Sequence, residues 1–119
     1  MSFTKEYSFE QRLKEATRIL AKYPDRIPII VEPGRGSFFG GKPLELDKNK
    51  YLVPKDLPVG QLNHVIRKRL KLQEHQALFL FINNTLLPTS ELIGNVYEKN
   101  KSKDMFMYVF CSMESSFGS

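Results

Sequence analysis

Catalysis needs nucleophiles, titratable pairs or metal ligands at workable spacing, and this chain offers few. Gly36 to Pro43 (GSFFGGKP) comes nearest. It almost matches the phosphate-binding pattern G-x-x-x-x-G-K-[ST], with Gly36, Gly41 and Lys42 in place. Pro43 stands where a Ser or Thr hydroxyl would hold magnesium, and no helix pattern follows whose N-terminus could hold phosphates. His64 and His75 lie eleven residues apart, and Cys111 is the single cysteine. That set does not make a zinc site. Cys111 ends an apolar strand, where a buried and inert thiol is the expected state. No Ser/His/Asp set and no paired carboxylates stand out. The expectation is therefore no catalytic residue, no metal and no cofactor.

What the chain does carry is localised positive charge. Its formal charge is +5 from 18 Lys and Arg against 13 Asp and Glu. Residues 42–71 hold eight basic and three acidic side chains, so that segment alone is +5. Residues 1–26 add +2, residues 27–41 cancel, and residues 72–119 subtract two. Arg67-Lys68-Arg69 with Lys71 is the densest part. Such a face attracts acidic partners. Nucleic-acid modules usually add exposed aromatics or an RNP-type motif, and neither is legible here.

The elements that must position these charges follow from pattern. Lys48 to Leu72 reads as strand, turn and helix. Lys50 to Val53 is rich in β-formers and bounded by Pro54. Asp56 is the expected N-cap, with Pro58 in the first turn. Val59, Leu62, Ile66 and Leu70 then make one apolar helix face. Upstream, Phe9 to Tyr23 is the clearest helix, with a stripe of Phe9, Leu13, Ala16, Leu20 and Tyr23. Ser8 and Gln11 fit a capping box, and Pro24 ends the helix. Phe3 to Tyr7 is expected to form a short helical turn. Ile27 to Val31 reads as a buried strand, and Glu32 to Pro43 as a glycine-rich loop with a mobile tip, whose Phe38 and Phe39 either pack back onto the domain, the favoured reading, or form an exposed contact.

Ala77 to Ile82 (ALFLFI) is the longest apolar run and is expected in the middle of the sheet. Asn83-Asn84-Thr85 is a turn. Thr89 or Ser90 is expected to cap a short helix with Leu92, Ile93, Val96 and Tyr97 inward. Met105 to Phe110 is the last strand, and residues 112–119 read as a flexible tail. Together these describe one α+β domain with helices on one sheet face. No apolar run reaches the roughly 20 residues of a membrane span, and no signal-peptide core is present. With one cysteine, a cytoplasmic protein is the expectation.

Several of these stretches resemble one known family. They are Tyr23-Pro24-Asp25-Arg26-Ile27-Pro28-Ile29-Ile30, Lys50-Tyr51-Leu52-Val53-Pro54, Val59-Gly60-Gln61, Ile66-Arg67-Lys68-Arg69, Asn83-Asn84-Thr85 with Pro88-Thr89, and the terminal Phe117-Gly118-Ser119. Nearly end to end, the chain resembles the ubiquitin-like autophagy modifiers of the GABARAP type. The resemblance implies a ubiquitin-like β-grasp over residues 1–111, with a four-stranded mixed sheet and two additional N-terminal helices within about residues 1–24. It implies a conjugation tail over residues 112–119. A cysteine protease would remove Ser119 after Phe117-Gly118. E1-like activating and E2-like conjugating enzymes would then pass Gly118 to phosphatidylethanolamine on autophagosome membranes.

The resemblance also implies a site for receptors and adaptors carrying aromatic-x-x-aliphatic motifs. One pocket would use Glu15, Ile19, Pro28, Ile30, Leu52 and Phe106. The other would use Tyr51, Val53, Pro54, Leu57, Leu62, Val65 and Arg69. Lys48, Lys50 and Arg69 would attract acidic residues flanking the motif, and Arg26 belongs to the same peptide-binding set. No specific nucleic acid is expected. The sequence departs from the family's pattern in three places. The loop from Glu32 to Leu46 is longer and richer in glycine, Pro58 replaces a capping threonine, and Leu62 replaces phenylalanine. Two other readings remain open on residues alone: a β-grasp adaptor that is never conjugated, and a basic RNA- or microtubule-binding protein.

Overall fold

In a computed structural model, the chain is described at residues 2–34 and 46–113, and at residues 38–39 and 42–43 by backbone alone. In chain order the elements are α1 (Phe3–Glu6), α2 (Phe9–Lys22), β1 (Arg26–Pro33), β2 (Phe38–Phe39), β3 (Lys42–Pro43), β4 (Lys50–Pro54), α3 (Val59–Leu70), β5 (Phe79–Ile82), β6 (Thr85–Leu86), α4 (Ile93–Asn100) and β7 (Met107–Ser112). The main sheet runs β4-β1-β7-β5-β6. Only β1 and β7 are parallel; the other pairs are antiparallel. The expected four-stranded mixed sheet is therefore present, and two-residue β6 adds a fifth strand. A small β2–β3 ladder pairs Phe38 with Pro43 and Phe39 with Lys42, so the glycine-rich segment is partly a hairpin. The expectations for the loop's tip and for packing of the Phe38 and Phe39 side chains lie outside the described residues.

Three expectations of placement are corrected. First, helices cover both sheet faces, not one. A large core of β1, β4 and β7 residues, including Ile29, Tyr51 and Val109, packs with Leu62 and Ile66 of α3 and Ile93 and Val96 of α4. A second core of Phe3, Ala16, Ile19, Ile30 and Phe106 lies under α2. Double coverage explains why Ile27 to Val31 reads as an unbroken apolar run instead of an alternating one. Second, β7 holds the centre of the sheet, while β5 stands one place from the edge. An apolar run looks the same in either place once both faces are covered. Third, α2 is turned relative to the expected stripe. Ala16 and Ile19 are buried, whereas Phe9 and Tyr23 at the stripe's ends are exposed.

A buried charge accounts for that turn. Asp104 is 1 % exposed. Its Oδ2 accepts from Arg12 Nη1 at 2.7 Å and from the Tyr108 hydroxyl, and its Oδ1 accepts from Phe106 N–H at 2.9 Å. Arg12 must face the sheet to make this pair, and Ala16 and Ile19 follow it at helical spacing. A buried carboxylate stripped of such a partner costs about 3–5 kcal/mol, so the pair fixes where α2 lies. Burial, and then the bond to Asp104, pushes the Tyr108 hydroxyl's pKa up. The capping box forms as expected, with Gln11 N–H on Ser8 Oγ at 3.1 Å and Ser8 N–H on Gln11 Oε1 at 2.9 Å.

The caps of α3 and α4 differ from expectation. Neither Asp56 nor Thr89 nor Ser90 caps a helix. Pro58 and Leu92 occupy the N-cap positions without side-chain caps. The two helix starts instead satisfy each other through backbone. Val59 N–H donates to Glu91 O (2.9 Å) and Gly60 N–H to Thr89 O (2.9 Å). In return, Ile93 N–H donates to Leu57 O (2.8 Å) and Gly94 N–H to Lys55 O (2.7 Å). Four otherwise orphaned donors are paired this way, so no capping hydroxyl is needed.

Two glycines at equivalent helix positions then respond oppositely to the same change. A Cβ on Gly94 would lie 2.9 Å from Lys55 O, a backbone atom that cannot swing aside. A Cβ on Gly60 would meet Thr89 O at an ordinary 3.4 Å. Alanine's helix preference, about 1 kcal/mol, acts at both positions, but overpacking of about 1–3 kcal/mol acts only at Gly94. Thermal melts should show Gly94→Ala lowering Tm by several degrees and Gly60→Ala leaving it level or raised. Equal shifts for the two variants would refute the reciprocal-cap account.

Candidate functional site

The β1–β4 ladder decides what β4 presents at the sheet edge. Val31 N–H donates to Asn49 O at 2.7 Å, and Lys55 N–H donates to Asp25 O at 3.0 Å. Between these pairs the register sets Ile29 opposite Tyr51 and Ile27 opposite Val53. Hydrogen-bonded pairs alternate with unbonded ones in an antiparallel ladder. Residues 49, 51, 53 and 55 therefore aim their backbone groups at β1. Lys50, Leu52 and Pro54 aim theirs away from the sheet. Pro54 has no N–H, and its carbonyl accepts from Leu57 N–H at 3.1 Å. The outward edge is thus the N–H and C=O of Lys50 and of Leu52, of which the Leu52 carbonyl accepts from Arg26.

Side chains alternate across the strand, so the edge divides two surfaces. Leu52 lies with the α2-side core of Ile19, Ile30 and Phe106. Tyr51 and Val53 lie with the opposite core, alongside Leu62 and Leu57. Of the two residue sets that the resemblance implied, Ile19, Ile30, Leu52 and Phe106 share one face and Tyr51, Val53, Leu57 and Leu62 the other, whereas alternation puts Pro54 on the Leu52 face and not with Tyr51. Burial also grades them. Ile19, Ile30, Phe106 and Leu62 are fully buried and form floors, and Tyr51 is 3 % exposed. Pro28 is buried, Leu52 and Leu57 are half-buried, and Pro54 and Val65 are exposed. The accessible rim is Leu52, Pro54, Leu57 and Val65.

Charge frames the rim. Glu15 Oε1 accepts from Arg18 Nη2 at 2.7 Å and from Lys50 Nζ at 3.4 Å, tying α2 to β4. The Arg18 bond, with Lys50 adding to it, holds the Glu15 carboxyl below its usual range. This tie is present above that range and is lost as pH falls through the lowered pKa. Lys48 Nζ stands 4.8 Å from the Tyr51 ring centre, and Arg69 Nε bonds Asp47 Oδ1 at 3.1 Å. Arg26 Nη1 donates to Leu52 O at 3.0 Å. The Tyr51 hydroxyl is the one buried side-chain polar atom without a partner among the described residues. Burial raises its pKa.

Other candidates separate from this site. In the basic cluster, Arg67 donates to Gln73 O (2.8 Å) and to Gln76 O, which pins the turn after α3. With Arg69 on Asp47, two of the cluster's four cations serve the fold, which weakens it as a phosphate grip. After Lys42–Pro43 the next described element is strand β4, not a helix whose N-terminus would hold phosphates. Among the described residues no group of three His, Cys, Asp or Glu is placed to hold a metal. Phe117, Gly118 and Ser119 lie outside the described residues. Asp104 was missed by sequence reading. The available signal was an acidic side chain opening an otherwise apolar stretch.

The family sequence model described as "Autophagy protein Atg8 ubiquitin like" matches residues 11–118. This chain belongs to the Atg8 family. It is 50 % identical to Autophagy-related protein 8e of Arabidopsis thaliana over 116 residues, covering 98 % of this chain and 92 % of that protein. It is 49 % identical to Autophagy-related protein 8 of Vanderwaltozyma polyspora over 118 residues, covering 99 % and 97 %. Among solved structures, Trypanosoma brucei ATG8 superposes with a TM-score of 0.88 at 41 % identity, covering 99 % of this chain and 98 % of that one. Plasmodium falciparum Atg8, solved in complex with a Plasmodium falciparum Atg3 peptide, gives 0.87 at 31 % identity, covering 98 % and 99 %. The ubiquitin-like fold with added N-terminal helices is therefore the Atg8 fold. No helix among the described residues is long and apolar enough to cross a membrane.

Cys111 sits in β7 beneath this surface and is fully buried, and burial pushes its thiol up to about 12. An exposed thiol titrates near about 8.5. The unfolded chain therefore releases its proton first, and this group's contribution to stability is lost as pH rises from there towards the folded value. At pH 8 the folded Atg8-family chain should resist iodoacetamide, with labelling following global unfolding. Fast labelling of folded protein, read by intact mass, would contradict the burial of this strand.

Proposed function

We propose that this chain is a ubiquitin-like modifier of autophagy that acts as the substrate of its conjugation pathway. In this reading it is cut after Gly118 and joined through the Gly118 carboxylate to phosphatidylethanolamine on autophagosome membranes. Before that it is cytoplasmic. Once anchored, it recruits receptors and adaptors through the β4 edge. The observation that carries the binding half is the outward edge itself: two N–H and C=O pairs between two apolar surfaces, with only the Leu52 carbonyl engaged, by the exposed Arg26 side chain. An extended peptide can add as a strand there, with alternate side chains on either side. The Atg3 peptide held by the Plasmodium relative supports peptide capture by an Atg8.

The conjugation half rests on family membership and on Phe117-Gly118-Ser119. Glycine has no Cβ, so its backbone fits a narrow enzyme channel. A cysteine protease would hydrolyse the Gly118–Ser119 amide, releasing Ser119. An E1-like enzyme would adenylate the freed carboxylate with ATP and release pyrophosphate. A thiol would displace AMP to form a thioester, which passes to an E2-like enzyme. The phosphatidylethanolamine amine would then attack, releasing the thiol and forming the amide. An amide does not form readily from a carboxylate in water, so the energised thioester is required. This chain supplies no catalytic group to any of these steps.

Two experiments test the halves separately. In autophagy-competent cells, Gly118→Ala should abolish the mass increment of lipid attachment while leaving the thermal melt unchanged. Lipid-linked Gly118→Ala at wild-type levels would sink the conjugation half. For binding, Tyr51 is a poor probe, because truncating a core aromatic costs about 3–5 kcal/mol of stability by itself. Leu52→Ala with Val65→Asp alters only the rim. That pair should weaken a micromolar aromatic-x-x-aliphatic peptide tenfold or more, about 1.4 kcal/mol per tenfold. Unchanged affinity would place the peptide elsewhere.

A further inference from the structure

Phe3 is the only buried residue of α1; Thr4, Lys5 and Glu6 are exposed. A four-residue helix has no stability of its own, so α1 stays where Phe3 is held. The Phe3 N–H donates to Glu32 Oε2 at 2.9 Å. The Phe3 ring meets the Phe106 ring edge-on, with centroids 5.2 Å apart and planes at 77°. Glu32 follows Ile30 by two residues on β1, so both side chains lie on the α2 side of the sheet. Ile30 and Phe106 are floors of the pocket behind Leu52. Leu52 is on β4 at the edge, Ile30 is on β1 one strand in, and Phe106 immediately precedes β7, two strands in. Phe3 lies at the inner end of that row, on Phe106 and with its ring centre 6.4 Å from that of Tyr108.

An aromatic side chain entering behind Leu52 presses on Phe106, and Phe106 can recede only if Phe3 gives way. We propose that Phe3 is the back wall of the α2-side pocket and sets its depth, and that it thereby holds down the advantage an indole anchor has over a phenyl one. This rests on the reading of the β4 edge as a peptide site. In it Phe3 touches no ligand; it is a positioning residue that acts through Phe106. Protein interiors are close-packed, so a floor with a ring wedged behind it does not yield, whereas a floor backed by a void does. Removing the Phe3 ring leaves space into which Phe106 can tip, and the pocket deepens. An indole has more apolar surface to bury in that depth. A phenyl ring, already accommodated, changes little. The Glu32 bond serves the same end by keeping Phe3 seated, since α1 has no other buried side chain.

The test uses the full chain with two synthetic peptides that share one aromatic-x-x-aliphatic motif and differ only in Trp against Phe at the aromatic position. The chain has no tryptophan, so the peptide's indole is the sole one in the sample. Phe3→Ala should raise the Trp-to-Phe affinity ratio over that of wild type by roughly three to ten times, the scale of one or two buried methylenes. The bound indole's emission should also shift further to the blue, because the ring lies deeper. Phe3→Leu keeps an apolar anchor for α1 and should move both readouts the same way by less. It carries the test if Phe3→Ala does not melt cooperatively. A loss of affinity shared equally by the two peptides makes Phe3 a support of the fold alone and refutes the back wall. An unchanged ratio in a folded variant refutes it too, as does a raised ratio without the blue shift; in each case the peptide site stands. If wild type binds neither peptide, the peptide-site reading has failed and takes the back wall with it.

Discussion

Strand β1 has a neighbour on each side, antiparallel β4 and parallel β7, and the rest of the molecule is arranged around that constraint. Pairing on both sides saturates β1 and buries it on both faces. It leaves β4 as the last strand on its side. The ladder's alternation then selects Lys50 and Leu52, not Tyr51 and Val53, to face outward. A slip of one residue would turn Tyr51 and Val53 out of the core and expose a different set of backbone groups. The candidate site is therefore a consequence of register. The same register puts Leu52 under α2 and Tyr51 over α3.

The walls beside the edge are held by polar contacts that do not touch it. Asp104 gives up nearly all solvent and is supported by Arg12, Tyr108 and Phe106 N–H. Fully satisfied, such a network specifies one arrangement of α2 on the sheet; half satisfied, it would be worse than an apolar contact. The turn that delivers Asp104 is itself constrained. Met105 has φ 73°, an uncommon value for a side chain of its size, and Tyr97 Oη donates to Met105 O at 2.7 Å. On the other face the reciprocal backbone caps of α3 and α4 fix the wall that contains Leu57, Leu62 and Val65. Pro58 at the capping position is tolerated in this setting, because the donors a capping side chain would have served are already taken, Gly60 N–H by Thr89 O and Gln61 N–H by Pro58 O.

Much was legible from local chemistry. The Ser8–Gln11 capping box, the Pro24 stop, strand β4, helix α3 and the Asn83-Asn84 turn each depend on neighbours a few residues apart, and all are where pattern places them. Asn83 and Asn84 both take positive φ, as a tight hairpin turn demands. Boundaries slipped where long-range pairing sets them. β5 begins at Phe79 instead of Ala77, and β7 runs two residues beyond Phe110 to Ser112, which is buried. Among site residues, the chemistry of Arg26, Lys50, Leu52 and Val65 could be read, but not their access. Nothing in a linear sequence says that Ile19, Ile30, Phe106 and Leu62 are floors while Leu52 and Val65 are rims.

By itself, then, the sequence determined the element types, the basic segment from 42 to 71, and the family through motifs spread along the chain. These are properties of composition and of contacts within a turn or two. Tertiary structure alone decided the order of strands, the coverage of both faces, the rotation of α2 towards Asp104, and the exchange of caps between α3 and α4. Each joins groups tens of residues apart: Arg12 to Asp104, Gly60 to Thr89, Arg26 to Leu52. Their energies come from burial and geometry that exist only after the chain has folded, which is why no local pattern announces them.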